Sequence, residues 1–281
     1  MDTGARTAGQ DSREEARSVA IVTGASSGIG RAFAGLLASD GYDLLLTAND
    51  AEGLVAVASK LEADRSIAVV AVPVDLTLPD APDLIFAKLS SWGRTASVLI
   101  NDAGFNVYGR FEDTDLEREL QMIRLHLIAP TVMTKRFLQL RDRSQPNFIL
   151  NVSSVAAFVP GPAVSVHFAT RAHLFSFSLA LHDEFRGTDV RVSCLCPGPT
   201  RTAFFGRASM ERVRLASGWP MQLMEPEDVA AAGYRALKAG KRFVVPGVRN
   251  RSFALAARMV PRSVATRFSR WIMAEVPGGR K

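Results

Sequence analysis

Cysteine is nearly absent. Two in 281 residues are too few for a disulfide scaffold, so a reducing compartment, the cytoplasm, is predicted. The sequence also lacks any run of about eighteen uncharged apolar residues, and with it any predicted membrane-spanning helix. Residues 1–18 are small, polar and mixed in charge, without the apolar stretch of a secretory signal, and read as a flexible extension. There is no internal repeat and no linker rich enough to divide the chain. With 47% apolar and 22% charged residues, disordered, collagen-like and low-complexity classes are excluded. The absences leave a soluble protein with one large folded unit, 19–249, and enough chain for a sizeable core.

Acid is scarce at one end. From Arg235 to Lys281 there are 12 Arg and Lys against one acid, Glu275, whereas residues 1–234 hold 22 bases and 27 acids. The formal charge of +6 therefore belongs to the C-terminal part, where 250–281 reads as a basic amphipathic tail. Within it Val264, Phe268, Trp271 and Ile272 share a helical face flanked by Arg262, Arg267 and Arg270. That pattern fits an interfacial helix on a membrane, and equally a helix capping a pocket or docking on a partner subunit. No recognition motif accompanies the charge, so no nucleic-acid partner is predicted.

What is present is alternation. Apolar runs at 19–23, 43–47, 67–74, 97–101, 147–153, 190–196 and 243–245 read as strands. Helix-period segments at 28–39, 51–63, 80–91, 113–140, 163–186 and 226–239 lie between them. Unbroken apolar stretches such as 67–72 suit strands buried on both faces, the mark of a parallel sheet covered by helices. The predicted fold is α/β, a single-domain Rossmann-type doubly wound parallel sheet flanked by helices on both faces. Its ligands would sit outside the carboxyl ends of the strands.

The first strand runs into Thr23-Gly24-Ala25-Ser26-Ser27-Gly28-Ile29-Gly30 and then a helix. Gly24 can take positive φ in a tight turn, Gly28 lets backbone approach a pyrophosphate, and Gly30 permits close helix–strand packing. Free N–H groups at the helix start would face the phosphates, with Ser26, Ser27 and Ile29 beside them. Three further segments follow in order. Asn101-Asp102-Ala103-Gly104 ends the fourth strand, Pro73-Val74-Asp75-Leu76-Thr77 follows the third, and Pro197-Gly198-Pro199-Thr200 follows the sixth.

Over residues 18–250 this set resembles the short-chain dehydrogenase/reductase family, with Asp102 where the family has a second Asn. The resemblance implies an NAD(H) or NADP(H) cofactor. Asp75 and Leu76 would lie by the adenine, Asn101, Ala103 and Gly104 along the cofactor, and Pro197, Gly198, Thr200 and Thr202 by the nicotinamide. An acid at the end of the second strand selects NAD and a nearby Arg selects NADP. Here Ala48 and Asn49 occupy those places, so the preference stays open, and Asp50 can serve as a helix cap. The resemblance also implies a homo-oligomer.

The family's hydride-transferring members use Asn, Ser, Tyr and Lys. In this sequence Ser154 is retained, but the Tyr-x-x-x-Lys place, beginning thirteen residues after Ser154, reads His167-Phe168-Ala169-Thr170-Arg171. His126 falls at the Asn position. By this reading His167 exchanges the proton, Ser154 hydrogen-bonds the substrate oxygen, Arg171 meets the ribose, and His126 supports a water relay. Arg171, one turn away, disfavours an imidazolium, so His167 should act as a base at neutral pH. Tyr108, near the mouth of the site, is a pocket-lining aromatic or a second proton donor.

The segment 198–225 matches the family's substrate lid. With Phe158, Tyr108, Phe204, Phe205 and Trp219 it predicts a wall for a hydrophobic or aromatic small molecule. Arg201, Arg207, Arg212 and Arg214 leave room for an acidic group on that substrate. Cys194 and Cys196, alternate residues on a strand, read as buried thiols, and no metal site is predicted. The expected function is NAD(P)(H)-dependent oxidation or reduction of an alcohol or ketone. The alternatives are a lyase, isomerase or cyclase using His167 and Ser154, or a catalytically silent cofactor-binding protein.

Overall fold

The computed structural model describes residues 17–276. Seven strands form one parallel sheet: β1 (Val19–Thr23), β2 (Asp43–Ala48), β3 (Val69–Pro73), β4 (Ala96–Asn101), β5 (Asn147–Val152), β6 (Val190–Leu195) and β7 (Phe243–Val244), in the order β3-β2-β1-β4-β5-β6-β7. The order reverses between β1 and β4, which is where a doubly wound sheet opens a crevice at its carboxyl edge. The helices are α1 (Gly28–Ser39), α2 (Ala51–Asp64), α3 (Ala81–Ser91), α4 (Leu116–Ile123), α5 (Ala129–Leu140), α6 (Ser165–Glu184), α7 (Phe204–Arg207), α8 (Pro226–Lys238), α9 (Val248–Met259) and α10 (Arg262–Met273).

Local chemistry places several helix starts. Asp50 and Asp115 accept backbone N–H bonds from Gly53 and Arg118 at the starts of α2 and α4. Pro226 opens α8, with Glu227 and Asp228 in the first turn and Arg235 and Lys238 in the last, charges that match the helix dipole. Side chains of alternate strand residues then fill two cores. On one face Val22, Leu46 and Ile100 pack with Phe33 and Leu37 of α1 and Val229 of α8. On the other, Ile21, Leu99 and Ile149 pack with Ile85 of α3 and Met133 and Phe137 of α5.

Three expectations are corrected. The apolar run 67–72 does not make a doubly buried strand: β3 lies at the sheet edge, and its residues are half-buried because only β2 pairs with it. The helix expected over 113–140 is interrupted at Arg124–Ile128 by a π-helical turn, the widened stretch that carries His126. The tail boundary at 249/250 falls inside α9. Asn250 is fully buried, accepting from Gln222 N and donating to Gln222 O at 2.8 and 3.1 Å, because an amide there satisfies the lid backbone. The expected extension 1–18 lies almost wholly outside the described residues. Among those described, no helix is long and apolar enough to cross a membrane.

Candidate active site

A cleft of about 690 Å³ opens along the carboxyl edge of the sheet, bordered by the ends of β1, β2, β4, β5 and β6. At one end the turn after β1 is built from backbone. Gly24 and Gly28 have φ of +70° and +57°, which only glycine adopts freely. A Cβ on Gly24 would lie 3.0 Å from the backbone of Ala103, and one on Gly30 would lie 2.3 Å from Gly24 O. Gly30 is buried behind the turn, while Ser26, Ser27, Gly28 and Ile29 border the cleft. Ser27 makes no side-chain cap and the first turn of α1 carries no acid, so that helix start is open to an anion.

Asn49, Asp75 and Leu76 border the cleft past the ends of β2 and β3, with Ala48 and Asp50. Two of these acids have local duties: Asp50 caps α2, and Asp75 accepts from Thr77 N at 2.9 Å. In the middle, Ala103 and Gly104 line the cleft but Asn101 does not. Its amide donates to Asn151 Oδ1 at 2.8 Å, and Asn151 donates to Ser178 Oγ at 2.9 Å. Asn101 thus ties β4 to β5 and α6, a structural use that corrects its assignment to the cofactor. Thr23, which the sequence reading passed over, holds the turn above by accepting from the N–H groups of Asp102 and Ala103. Nothing in the local pattern distinguishes that hydroxyl from an ordinary buried threonine.

Pro197, Gly198, Thr200 and Thr202 border the opposite wall. Ser154 does too; its hydroxyl accepts from Ala156 N at 3.1 Å, opening the 3-10 turn Val155–Phe158.

The histidine end is built from side chains. His126 Nε2 accepts from Phe105 N–H at 3.3 Å and from the Arg171 guanidinium at 3.1 Å. A guanidinium has no acceptor, so the proton of His126 sits on Nδ1, which donates to Thr170 Oγ1 at 3.0 Å. Thr170 donates in turn to His167 O at 2.8 Å. Burial, then the positive charge of Arg171, then His167, hold the His126 imidazolium well below its ordinary range. Both ring nitrogens are engaged and the ring is 1% exposed, so the expected water relay through His126 does not form. It positions Arg171 instead.

Arg171 is buried, and burial lowers its own pKa to about 10 against the pull of Asp102. Its other terminal nitrogen donates to Val152 O at 2.9 Å, and Nε has no partner. The fork is turned to protein acceptors rather than left free for a ribose, although it borders the cleft. A Cβ on Gly104 would meet this guanidinium at 2.3 Å, which is why the turn above it needs glycine.

His167 lines the cleft, 6% exposed, with Nδ1 buried and unpartnered. Its ring centroid is 5.6 Å from that of His126 and 5.6 Å from that of Phe204 on the lid. Burial first, then Arg171, keep it well below the usual histidine range, hence neutral. Asp102, which accepts from Gly30 N–H, is crowded by protein, and burial raises its pKa to about 7 despite Arg171.

Phe204 and Phe205 line the substrate half with Met210, Leu215 and Met221. Three expected wall residues do not. Phe158 packs edge-on against Phe175 at 5.0 Å between ring centroids. Tyr108 donates its hydroxyl to Met273 O at 3.0 Å, and burial raises its pKa further, so it is neither a wall nor a proton donor. Trp219 is 57% exposed and meets Trp271 edge-on. The tail fills their places: Phe253, Ser269, Ile272 and Met273 close the far wall, which its amphipathic pattern left open as one of several uses. Of the lid arginines, Arg201 pairs with Glu225 and Arg214 donates to Trp271 O, whereas Arg207 borders the cleft with Nη2 3.5 Å from Ser27 Oγ. Cys194 and Cys196 are buried, their sulfurs 3.9 Å apart.

Residues 18–212 match the family model described as short chain dehydrogenase. The chain is 30% identical over 186 residues to human 17-beta-hydroxysteroid dehydrogenase type 3, covering 66% of this chain and 59% of that protein's length. Among solved structures it resembles a short-chain dehydrogenase from Sphingobium yanoikuyae in complex with NADPH, with TM-score 0.73 and 30% identity over 86% of this chain and 93% of that one. It also resembles 3-ketoacyl-(acyl-carrier-protein) reductase from Brucella melitensis complexed with NADH, with TM-score 0.73 and 25% identity over 83% and 98% of the two chains.

Proposed function

The chain belongs to the short-chain dehydrogenase family, and on that premise we propose that it is an NAD(P)(H)-dependent oxidoreductase of hydrophobic alcohols or ketones in which His167 exchanges the proton. The cofactor would be held by the Gly24–Gly30 turn, by Asp75 and Leu76, and by Ala103, Gly104 and the Pro197–Thr202 wall. When bound, a nicotinamide supplies the hydride acceptor or donor.

The remaining chemistry falls to side chains. An imidazole kept neutral by burial and by Arg171 is poised to take the hydroxyl proton of an alcohol. Ser154, on the same wall, is the available partner for the substrate oxygen. His126 and Val152 O hold Arg171 in place, and Phe204 stands over His167 to exclude water. The apolar lining from Phe204, Phe205, Met210, Leu215, Met221 and Phe253 supports a bulky hydrophobic substrate, as does the likeness to a hydroxysteroid dehydrogenase.

The observation that carries this reading is a buried, neutral histidine lining the cleft that also holds the open glycine turn. The test follows absorbance at 340 nm with each nicotinamide cofactor across a panel of hydrophobic alcohols and ketones. The expected result is turnover that His167→Ala lowers by about 10²-fold or more, while NAD(P)H binding read by fluorescence stays intact. Activity untouched by His167→Ala would remove the proton assignment. Cofactor binding without turnover anywhere in the panel would favour a non-redox or silent member.

A further inference from the structure

The outward side chains of α9 and α10 include several large apolar groups. On α10, Val264, Phe268 and Trp271 are 51%, 39% and 37% exposed and recur at i, i+4 and i+7, so they form one stripe. On α9, Leu255 and Met259 are 64% and 79% exposed and share a face one turn apart. The aromatic rings join the two helices: Phe253 to Phe268 at 6.0 Å, Phe268 to Trp271 at 5.7 Å, and Trp271 to the lid's Trp219 at 5.2 Å. Large apolar groups gathered in this way on a surface mark a contact site.

The charge around them selects the partner. Residues 248–273 carry six arginines, Arg249, Arg251, Arg258, Arg262, Arg267 and Arg270, and no acid. Among the described residues none of the six forms an ion pair. A second copy meeting this face through its own α9 and α10 would bring six more arginines and no acid, which charge opposes. An anionic lipid surface answers both features, since headgroups neutralise the arginines and the interfacial layer takes up the Trp and Phe rings.

We propose that the exposed face of α9–α10 docks on anionic membranes as a peripheral contact. The same two helices line the cleft through Phe253, Ile272 and Met273. Docking therefore sets the cleft wall beside the lipid. The proposal does not depend on redox turnover.

The experiment is cosedimentation of the full chain with vesicles of phosphatidylcholine alone and of phosphatidylcholine mixed with phosphatidylglycerol. Binding should appear only with the anionic vesicles and weaken as salt is raised from ~0.1 M to ~0.5 M. Trp emission should shift to the blue on binding, and lose that shift when Trp219 and Trp271 are both changed to Phe. Arg267→Gln and Arg270→Gln, exposed sites where folding is not at stake, should each lower partitioning by about fivefold, the equivalent of about 1 kcal/mol per arginine at an anionic surface. Phe268→Ser should lower it as well, with far-UV circular dichroism showing the chain still folded at the assay temperature. Absence of binding to anionic vesicles, or equal binding to both kinds, overturns the proposal. So does a dimer in light scattering that Phe268→Ser converts to monomer while vesicle binding stays absent, because the face would then belong to a second copy.

Discussion

The glycine-turn end of the cleft is made of backbone and the histidine end of side chains. Around Gly24, Gly28 and Gly30 the chain presents N–H groups and no bulk, and its geometry follows from three residues that permit close approach. Around His126, His167 and Arg171 the site depends on three buried polar groups, drawn from the π-helical turn and from α6, that meet across the fold. Backbone sites tolerate no added atom; side-chain sites tolerate substitution but change their protonation. That difference tells where each end should break.

The largest effect is expected at Gly30. Its Cβ in Gly30→Ala would meet Gly24 O, a backbone atom that cannot swing aside, so the turn must move. NAD(P)H affinity should fall by about 10²-fold or more, with a lower melting temperature as overpacking costs roughly 1–3 kcal/mol. Fluorescence titration and thermal unfolding read both.

At the histidine end, Arg171→Met removes a buried cation and keeps much of its volume. The charge of Arg171 is one of the two influences holding His167 down, so its loss raises the His167 pKa while burial still keeps it below an ordinary histidine. If His167 is the base, the acid limb of the rate profile for alcohol oxidation should move to higher pH. An unmoved limb would separate His167 from the proton step.

Asp102 joins the two ends, accepting from Gly30 N–H and lying under the field of Arg171. Its pKa is raised from 3.8 to about 7 by burial, so the folded protein holds a proton that the unfolded chain releases. The stability it contributes is full below pH ~4 and is lost as pH rises through about 7. Asp102→Asn removes that dependence. Its melting temperature should exceed that of the unaltered protein above neutrality, and the gap should narrow towards pH ~4. A constant gap across that range would contradict the assignment.

The smallest effect belongs to Arg207, exposed on the lid and 3.5 Å from Ser27 Oγ at the glycine turn. A solvated arginine beside a bound diphosphate is worth roughly 0.2–1 kcal/mol. Arg207→Gln should therefore weaken NAD(P)H binding by a few fold at low salt, with the difference shrinking as salt is added.

Strand–helix alternation and the glycine spacing carried the fold and the glycine-turn end, because both are local. A turn needing positive φ selects glycine wherever it occurs, and a strand's period shows within a handful of residues. Even there a local signal misled: the apolar run at 67–72 has the composition of a central strand, yet edge or centre is settled by which strands lie beside it. The histidine end shows the same division. Spacing from Ser154 singled out His167 and Arg171, but nothing in that spacing shows that the guanidinium of Arg171 turns to His126 and Val152 O.

By itself, then, the amino-acid sequence determined the doubly wound sheet and the glycine-rich turn, and singled out His167 and Arg171 as candidates. Tertiary structure alone decided the protonation and the walls. The tautomer of His126, the lowered pKa of His167 and the raised pKa of Asp102 arise from burial and from charges brought near through folding. The tail's two faces were likewise separated only by packing, which set Ile272 and Met273 against the cleft and left Phe268 and Trp271 outside. Burial and field are sums over neighbours distant in the chain, and a linear pattern does not contain them.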